Sequence, residues 1–418
     1  MWLGKFPFED TRPWMSLIAV QNNSSLPFLD AQSRTRVVHG ANSMARLGEL
    51  ARALGVKNVL LVTDAGIVAA GHAGRVQQNL EAAGILVTLF DRAKENPTTK
   101  CVEDCVAAAR AAGIDGLVGL GGGSSMDTAK GCNFILTNGG QMKDYWGVGK
   151  ATQPMLPFIA IPTTAGTGSE MQSAALIADE VTHQKMACLD PKCAARVAIL
   201  DPVLTVSQPP RVTACTGIDA IAHAVETAVT TKRTDLSQKL SAEAFRLCLG
   251  AFPKVMQQPG DLEARARMQL GAAYAGAAIE NSMLGAAHAA ANPLTAHFGI
   301  VHGQAVGLML PHVVRFNRED AAVRLDYARL VTAMPEELSG VGGGDEIESP
   351  TEEGLILELE KSLRLAGLKC SLAELGVERA AIPMLAGEAS RQWTAGFNPR
   401  PVAAADFVML YEAAFAPG

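Results

Sequence analysis

Short β-branched runs alternate with helical stretches through the first half of this chain, and the alternation then stops. The runs 56–64 (VKNVLLVTD), 85–91 (ILVTLFD), 115–123 (DGLVGLGGG), 157–170 (PFIAIPTTAGTGSE) and 196–204 (RVAILDPVL) read as buried strands, each apolar and most ending in Gly or Asp. Between them, 70–84, 98–113 and 126–138 read as helices. Strands and helices alternating at this pace imply an open, mostly parallel sheet with helices on both faces. Beyond Pro209 and Pro210 the pattern is helical: 211–230, 235–257, 261–280, 282–298 and on to the end. The expectation is a two-domain α/β plus all-α chain. Residues 1–203 form a Rossmann-like domain and 204–418 an all-helical domain, with a cleft between them. Residues 1–33 show little periodicity and read as an arm; 341–354 read as an acidic, Gly-containing loop.

Composition supports this division. The chain has 418 residues, 48% of them apolar and 19% charged, enough to bury large cores. A net charge of −6 argues against nucleic acid or an anionic membrane as partner. The eight cysteines form no CxxC and read as reduced residues of a cytoplasmic protein. There is no 18-residue apolar span, and the N-terminus does not resemble a signal peptide.

Three of eight histidines and one aspartate stand out. Asp219 and His223, in GIDAIAHAVE, share a helix face, about 40° apart. With His288 and His302 they supply three imidazoles and a carboxylate, donors suited to a borderline divalent ion. Taken singly, each has a plainer reading: Asp219 and His223 as a polar pair, His288 as a core histidine in an Ala-rich helix, His302 as a residue of a Gly-flanked turn.

GLGGGSSMDTAK (119–130) is a strand-to-helix turn with three consecutive glycines. Backbone N–H groups can approach a phosphate there, although the motif is neither GxGxxG nor a Walker loop. Ser124 reads equally as an N-cap. Asp64 ends an early strand, where an acid can accept from a ribose and repel a 2′-phosphate, or cap the next helix. Lys185 is a surface charge or a phosphate contact.

GGGSSMDTAK, PTTAGTGSE, GIDAIAHAVE and HGQAVGLMLPHVVRFN together resemble the iron-containing (group III) alcohol dehydrogenases, in order and over nine-tenths of the chain. The resemblance implies a dehydroquinate synthase-like pairing of an α/β nucleotide-binding domain with a helical metal-binding domain. It implies a metal on Asp219, His223, His288 and His302. It places NAD against Asp64, Asn96, Gly121, Gly122, Gly123, Ser124, Asp127, Thr163, Thr164 and Lys185. The substrate wall falls on Ala174, Ile279, Leu284, Asn292 and Phe397, mostly apolar or small, which suits an aliphatic or aromatic substrate. The ion expected is Fe2+, with Zn2+ fitting the same donors, and the assembly expected is a dimer or higher homo-oligomer.

One departure concerns proton transfer. Where the family commonly carries a second histidine four residues after the third ligand, this chain has Asn292, which cannot take a proton near neutral pH. His297 falls on another helix face, and Thr394 is another group through which a proton could pass. The arm of about 33 residues is a second departure. The expected activity is interconversion of an alcohol with its aldehyde or ketone, using NAD(H). The rival readings are a maleylacetate reductase-like enzyme, a dehydroquinate synthase- or glycerol dehydrogenase-type relative, and a non-catalytic structural relative. The first tends to lack the ligand set, the second needs a Lys/Arg-rich pocket, and the third predicts disrupted motifs.

Overall fold

The computed structural model describes residues 29–31, 34–182, 184–332 and 352–416. A seven-stranded sheet is built from β1 (Leu29–Ala31), β2 (Arg36–His39), β3 (Asn58–Val62), β4 (Leu86–Phe90), β5 (Gly116–Gly121), β7 (Phe158–Pro162) and β10 (Val197–Leu200). Its order is β1-β2-β10-β7-β5-β3-β4, parallel throughout except for the antiparallel edge pair β1–β2. Residues 29–31, read from sequence as part of an arm, are therefore a sheet edge: Asp30 pairs with Val38. The rest of the 1–33 arm, 32–33 and 1–28, lies outside the described residues.

The central strands β3, β5, β7 and β10 are buried on both faces, as their apolar runs require, while the edge strand β4 leaves Leu86 and Leu89 exposed. In β3, Leu60 and Val62 face one core, with Val102, Cys105 and Ala109 of α4 (Thr99–Ala112) and Met126, Ala129 and Cys132 of α5 (Gly123–Asn138). Val59 and Leu61 face the opposite core, with Leu47 and Leu50 of α1 (Leu47–Ala53) and Val76 and Leu80 of α3 (His72–Ala82). Between α1 and α3 lies the short α2 (Ala65–Ala69), capped by Asp64.

A second sheet was not legible in the sequence. Gly147–Val148 (β6), Ala174–Ala178 (β8) and Lys185–Leu189 (β9) form a three-stranded sheet of order β6-β9-β8, with β8 and β9 antiparallel. Its inward residues Ala175, Ile177, Met186 and Cys188 join the core beneath α5.

From Pro210 the described residues are helical: α6 (Pro210–Thr227), α7 (Asp235–Gln257), α8 (Leu262–Glu280), α9 (Ala286–Phe298), α10 (His302–Asn317), α11 (Ala321–Thr332), α12 (Glu352–Leu365), α13 (Ile382–Ala389) and α14 (Ala404–Ala413). One core joins them, and α6 runs through it almost wholly buried. Residues 352–354, read as loop, open α12, while 341–351 lie outside the described residues. All eight cysteines are free thiols. No helix among the described residues is long and apolar enough to cross a membrane.

Candidate active site

Helix α6 carries Asp219, His223 and Glu226 at spacings of four and three, so all three point to one side. Two further helices bring their histidines to this stripe. His288 lies in the first turn of α9, and His302 is the first residue of α10, not part of a turn as its glycine neighbour suggested. The approach of α10 to α6 is close: a Cβ on Gly303 would sit 2.0 Å from the carbonyl oxygen of Cys215. Only glycine permits His302 to reach Asp219 along this path.

The result is three imidazoles around one carboxylate oxygen. The Nε2 atoms of His223 and His288 each lie 3.5 Å from Asp219 Oδ1, and that of His302 lies 4.0 Å away. Asp219, His288 and His302 have donor atoms all within 4.8 Å of one another. His223 stands slightly outside that set, its ring stacked on that of His288 with centroids 4.8 Å apart. Asp219 Oδ1 and His288 Nε2 are buried without a hydrogen-bond partner. Buried polar atoms are rarely left so. Orphaned O and N donors converging from three helices fit a divalent cation.

Electrostatics agree with that fit. Burial alone would raise the Asp219 carboxyl, but His223, His288 and His302 hold it well below the usual range. Burial lowers His302 to about 3, with His288 and Lys185 adding to the effect, and burial likewise lowers His223. Two neutral imidazoles beside an ionised carboxylate are in the protonation states that ligation needs. His288 differs. Burial would lower it, but Glu226 and Asp219 overcome burial and raise it to about 9. Its Nδ1–H donates to Glu226 Oε2 at 2.5 Å, and Glu226 Oε1 accepts from the N–H of Ala287 at 2.7 Å. Glu226 was missed in the sequence, though its place one turn after His223 was a usable signal.

A cleft of about 620 Å³ joins this cluster to the glycine turn after β5. Gly122, Gly123, Ser124, Asn96, Asp127, Thr164 and Lys185 line it, with Asp219, His223, His288 and His302. A Cβ on Gly123 would meet Thr167 Oγ1 at 2.9 Å, so the turn packs directly under the hydroxyl-rich loop after β7. Asn96 holds a left-handed φ of 51° at the cleft edge. Lys185 is exposed to the open cleft, and partial desolvation between the cleft walls lowers its pKa against the upward pull of Asp127, Asp219 and Glu95.

Other expected contacts are displaced from the cleft. Thr163 continues the β7 ladder, its N–H on Gly121 O at 2.9 Å and its side chain buried, so Thr164 alone of the pair faces the cleft. Gly121 is within the strand and does not line the cleft. Asp64 accepts from Ile67 N at 3.0 Å as an N-cap, while Ser125 Oγ donates to its Oδ2 at 3.5 Å behind the glycine turn. Asp127 is a brace as well as a lining residue, accepting from Ser169 Oγ at 2.8 Å and Leu176 N at 3.3 Å. Beside it the buried Lys130, unremarked in the sequence, donates to Ser169 O, Gln172 O and Ala174 O at 2.6–3.0 Å and fixes the same loop.

Ala174, Ile279, Leu284 and Asn292 line the cleft as expected, but Phe397 does not. Its ring stands edge-on to Trp393, which takes the cleft position, along with Gln392 and Thr394. The 393–397 segment is a tight 3-10 turn, and its pitch shows the cleft the earlier residues. His297 pairs with Glu388 at an exposed position, 2.8 Å away, and does not replace a histidine at 292.

Comparison with known proteins identifies the family. Residues 34–202 match the model of the iron-containing alcohol dehydrogenase family, and residues 213–415 match that of the Fe-containing alcohol dehydrogenase family C-terminal region. The chain is 33% identical over 373 residues to NAD-dependent methanol dehydrogenase of Bacillus methanolicus, covering 89% of this chain and 96% of that one. It is 31% identical to lactaldehyde reductase of Escherichia coli (strain K12), covering 90% and 97%. A crystal structure of 1,3-propanediol oxidoreductase superposes with a TM-score of 0.85 at 31% identity, covering 91% and 97%. The chain belongs to the iron-containing alcohol dehydrogenase family, and is an NAD-dependent oxidoreductase of alcohols and their carbonyl partners.

Proposed function

We propose that Asp219, His223, His288 and His302 hold the iron, and that the cleft between residues 1–203 and 204–418 brings NAD(H) and a small alcohol or aldehyde together beside it. The observation that carries this is the convergence of three imidazole Nε2 atoms on one buried, orphaned carboxylate oxygen in the cleft that the glycine turn also lines. A divalent ion there would supply Lewis acidity to the alcohol or carbonyl oxygen. Zn2+ suits the same donors. NAD(H) would supply the hydride acceptor or donor.

The chain's own residues do the rest. Gly122, Gly123 and Ser124 offer backbone N–H groups at the start of α5, a place where phosphate is stabilised. Lys185 adds a basic side chain to the same cleft lining. Asn96 and Thr164 border the nucleotide path, and Asp127 and Lys130 keep the 169–174 loop fixed. Ala174, Ile279 and Leu284 form apolar walls that exclude water from the reacting carbon. No histidine stands at position 292, so proton exchange with solvent uses another route; Thr394 Oγ1 is a hydroxyl on the same cleft wall. We place the enzyme in the cytoplasm as a homo-oligomer, a dimer or higher. The intact ligand set and glycine turn speak against a maleylacetate reductase-like or non-catalytic relative. Among the described residues only Lys185 and Arg211 bring basic side chains to the cleft lining, fewer than the Lys/Arg-rich pocket of a dehydroquinate synthase-type lyase calls for.

The test is anaerobic purification, metal analysis, and NADH consumption over a panel of aldehydes and ketones. One equivalent of bound metal and metal-dependent NADH oxidation are expected. His223→Ala should lose both. Full activity in a metal-free His223→Ala protein would remove the ion from the reaction.

A further inference from the structure

We infer that Asn398 is a positioning residue for the iron: its side chain caps the helix start that carries His288, and so holds this ligand from outside the ligand set. The inference rests on the metal reading above.

Helix α9 begins at Ala286 without a side-chain cap of its own. Its N-cap residue is Gly285, which has no side chain to offer the free N–H groups of the first turn. Two side chains from elsewhere in the fold supply what Gly285 lacks. Glu226 Oε1 accepts from Ala287 N at 2.7 Å, and Asn398 Oδ1 accepts from Ala286 N at 3.3 Å. Both oxygens come close: a Cβ on Gly285 would lie 3.1 Å from each. His288 follows directly after Ala287, and its Nε2 is the orphaned atom that faces Asp219. A shift of this turn therefore moves a ligand.

Asn398 is itself held in one orientation. It is buried, and its Nδ2 donates to Asn317 Oδ1 and to Arg400 O, each at 2.7 Å. Its Oδ1 accepts a second time, from Asn317 Nδ2 at 3.1 Å. A side-chain amide has two donor and two acceptor capacities, and all four are used here. Turning the amide over would set its NH2 against the N–H groups of Ala286 and Asn317, and its oxygen against the Arg400 carbonyl. Asn317 is the last residue of α10, the helix that His302 opens, and its Nδ2 also reaches Tyr327 Oη at 3.3 Å. One reciprocal amide pair thus ties the end of the His302 helix to the start of the His288 helix. Neither asparagine lines the cleft, so neither acts on a substrate directly.

The test sets iron affinity, measured on the full chain by chelator competition, against thermal melts. Asn398→Leu removes both the cap oxygen and the amide donors at similar volume. Asn398→Asp keeps a cap oxygen and loses the donors to Asn317 and Arg400. Both should melt several degrees lower. Iron affinity should fall at least about tenfold in Asn398→Leu, as for other partners of metal ligands, and be largely kept in Asn398→Asp. Asn317→Ala breaks the amide pair from the other side and leaves the cap oxygen in place. It too should lose stability and keep its iron, which preserves the test should Asn398→Leu fail to fold. Affinity that falls in step with melting temperature across these variants, or that is unchanged in a folded Asn398→Leu protein, overturns the assignment. Either result leaves the metal reading standing as long as the unmutated protein binds iron. An unmutated protein that bound no divalent ion would overturn both.

Discussion

His288 donates its Nδ1–H to Glu226 Oε2 across 2.5 Å, and this contact decides which nitrogen of His288 faces Asp219. A carboxylate behind an imidazole fixes its tautomer and makes the far nitrogen a better donor to a cation. Glu226 is itself held by the Ala287 N–H, so ring and carboxylate are positioned by the same helix turn. Glu226→Gln keeps the shape but removes the charge. Metal affinity measured by competition with a chelator should fall about 10–100-fold. Unchanged affinity in a folded Glu226→Gln protein would show that His288 is oriented by packing alone.

Although it does not line the cleft, Asp64 is predicted to set the choice between NADH and NADPH. It caps α2 and stands beside the glycine turn, where a Cβ on Gly121 would come within 3.4 Å of Asp64 Oδ2. A negative charge there opposes a 2′-phosphate by a few kcal/mol, so roughly a hundredfold preference for NADH over NADPH is expected. Asp64→Ser keeps a capping oxygen and loses the charge. Its preference, measured as the ratio of kcat/KM values, should narrow while its melting temperature holds. Equal efficiencies with both cofactors in the unmutated enzyme would mean that Asp64 only caps the helix.

The parallel sheet and the helical half were legible because their residues are long apolar runs with clear periods. Helix 235–257 coincides with α7, and 211–230 with α6 to within three residues. The second sheet was not, since β6 has two residues and β8 is a small, Ala-rich strand without strong alternation. Among site residues, spacing on a helix gave Asp219 and His223. Resemblance supplied the nucleotide loop. In irregular backbone the residue that lines the cleft differs by a few positions from the one expected: Thr164 rather than Thr163, and Trp393 rather than Phe397. Such choices depend on φ and ψ at the strand end and in the 3-10 turn, which composition does not encode.

Glu170 gives a pH dependence of stability. It is buried beside the end of β7, and burial raises its carboxyl to about 7, against the lowering effects of its own backbone N–H and of Lys130. In the unfolded chain it ionises near its ordinary value of 4.5. A raised folded pKa means that its contribution is fully present below pH 4.5 and is lost as pH rises through 7. The loss is bounded at on the order of 3 kcal/mol. Glu170→Gln does not titrate. Its melting temperature relative to the unmutated protein should therefore climb between pH 5 and pH 8, read by thermal melts at constant ionic strength. A difference that stays flat across this range would show that Glu170 ionises in the fold as readily as in water.

Gly303 couples stability to the site. Its neighbour His302 reaches Asp219 only because α10 lies against α6 with no Cβ between them; one built on Gly303 falls 2.0 Å from Cys215 O and 2.7 Å from its carbonyl carbon. That neighbour is backbone in the middle of a buried helix, so it cannot swing aside. Gly303→Ala must push α10 outward, at a cost typical of overpacking, about 1–3 kcal/mol. The displacement begins at the residue that carries His302 Nε2, already the farthest of the three imidazoles from Asp219 Oδ1 at 4.0 Å. Two readouts should therefore move together: a melting temperature lower by several degrees, and iron affinity reduced at least tenfold by chelator competition. Ala305, two residues on and also fully buried, offers the control. Ala305→Gly should lower the melting temperature through helix propensity alone and leave iron affinity largely intact. If Gly303→Ala lost stability but bound iron normally, the close packing of α10 on α6 would serve the fold and not the position of His302.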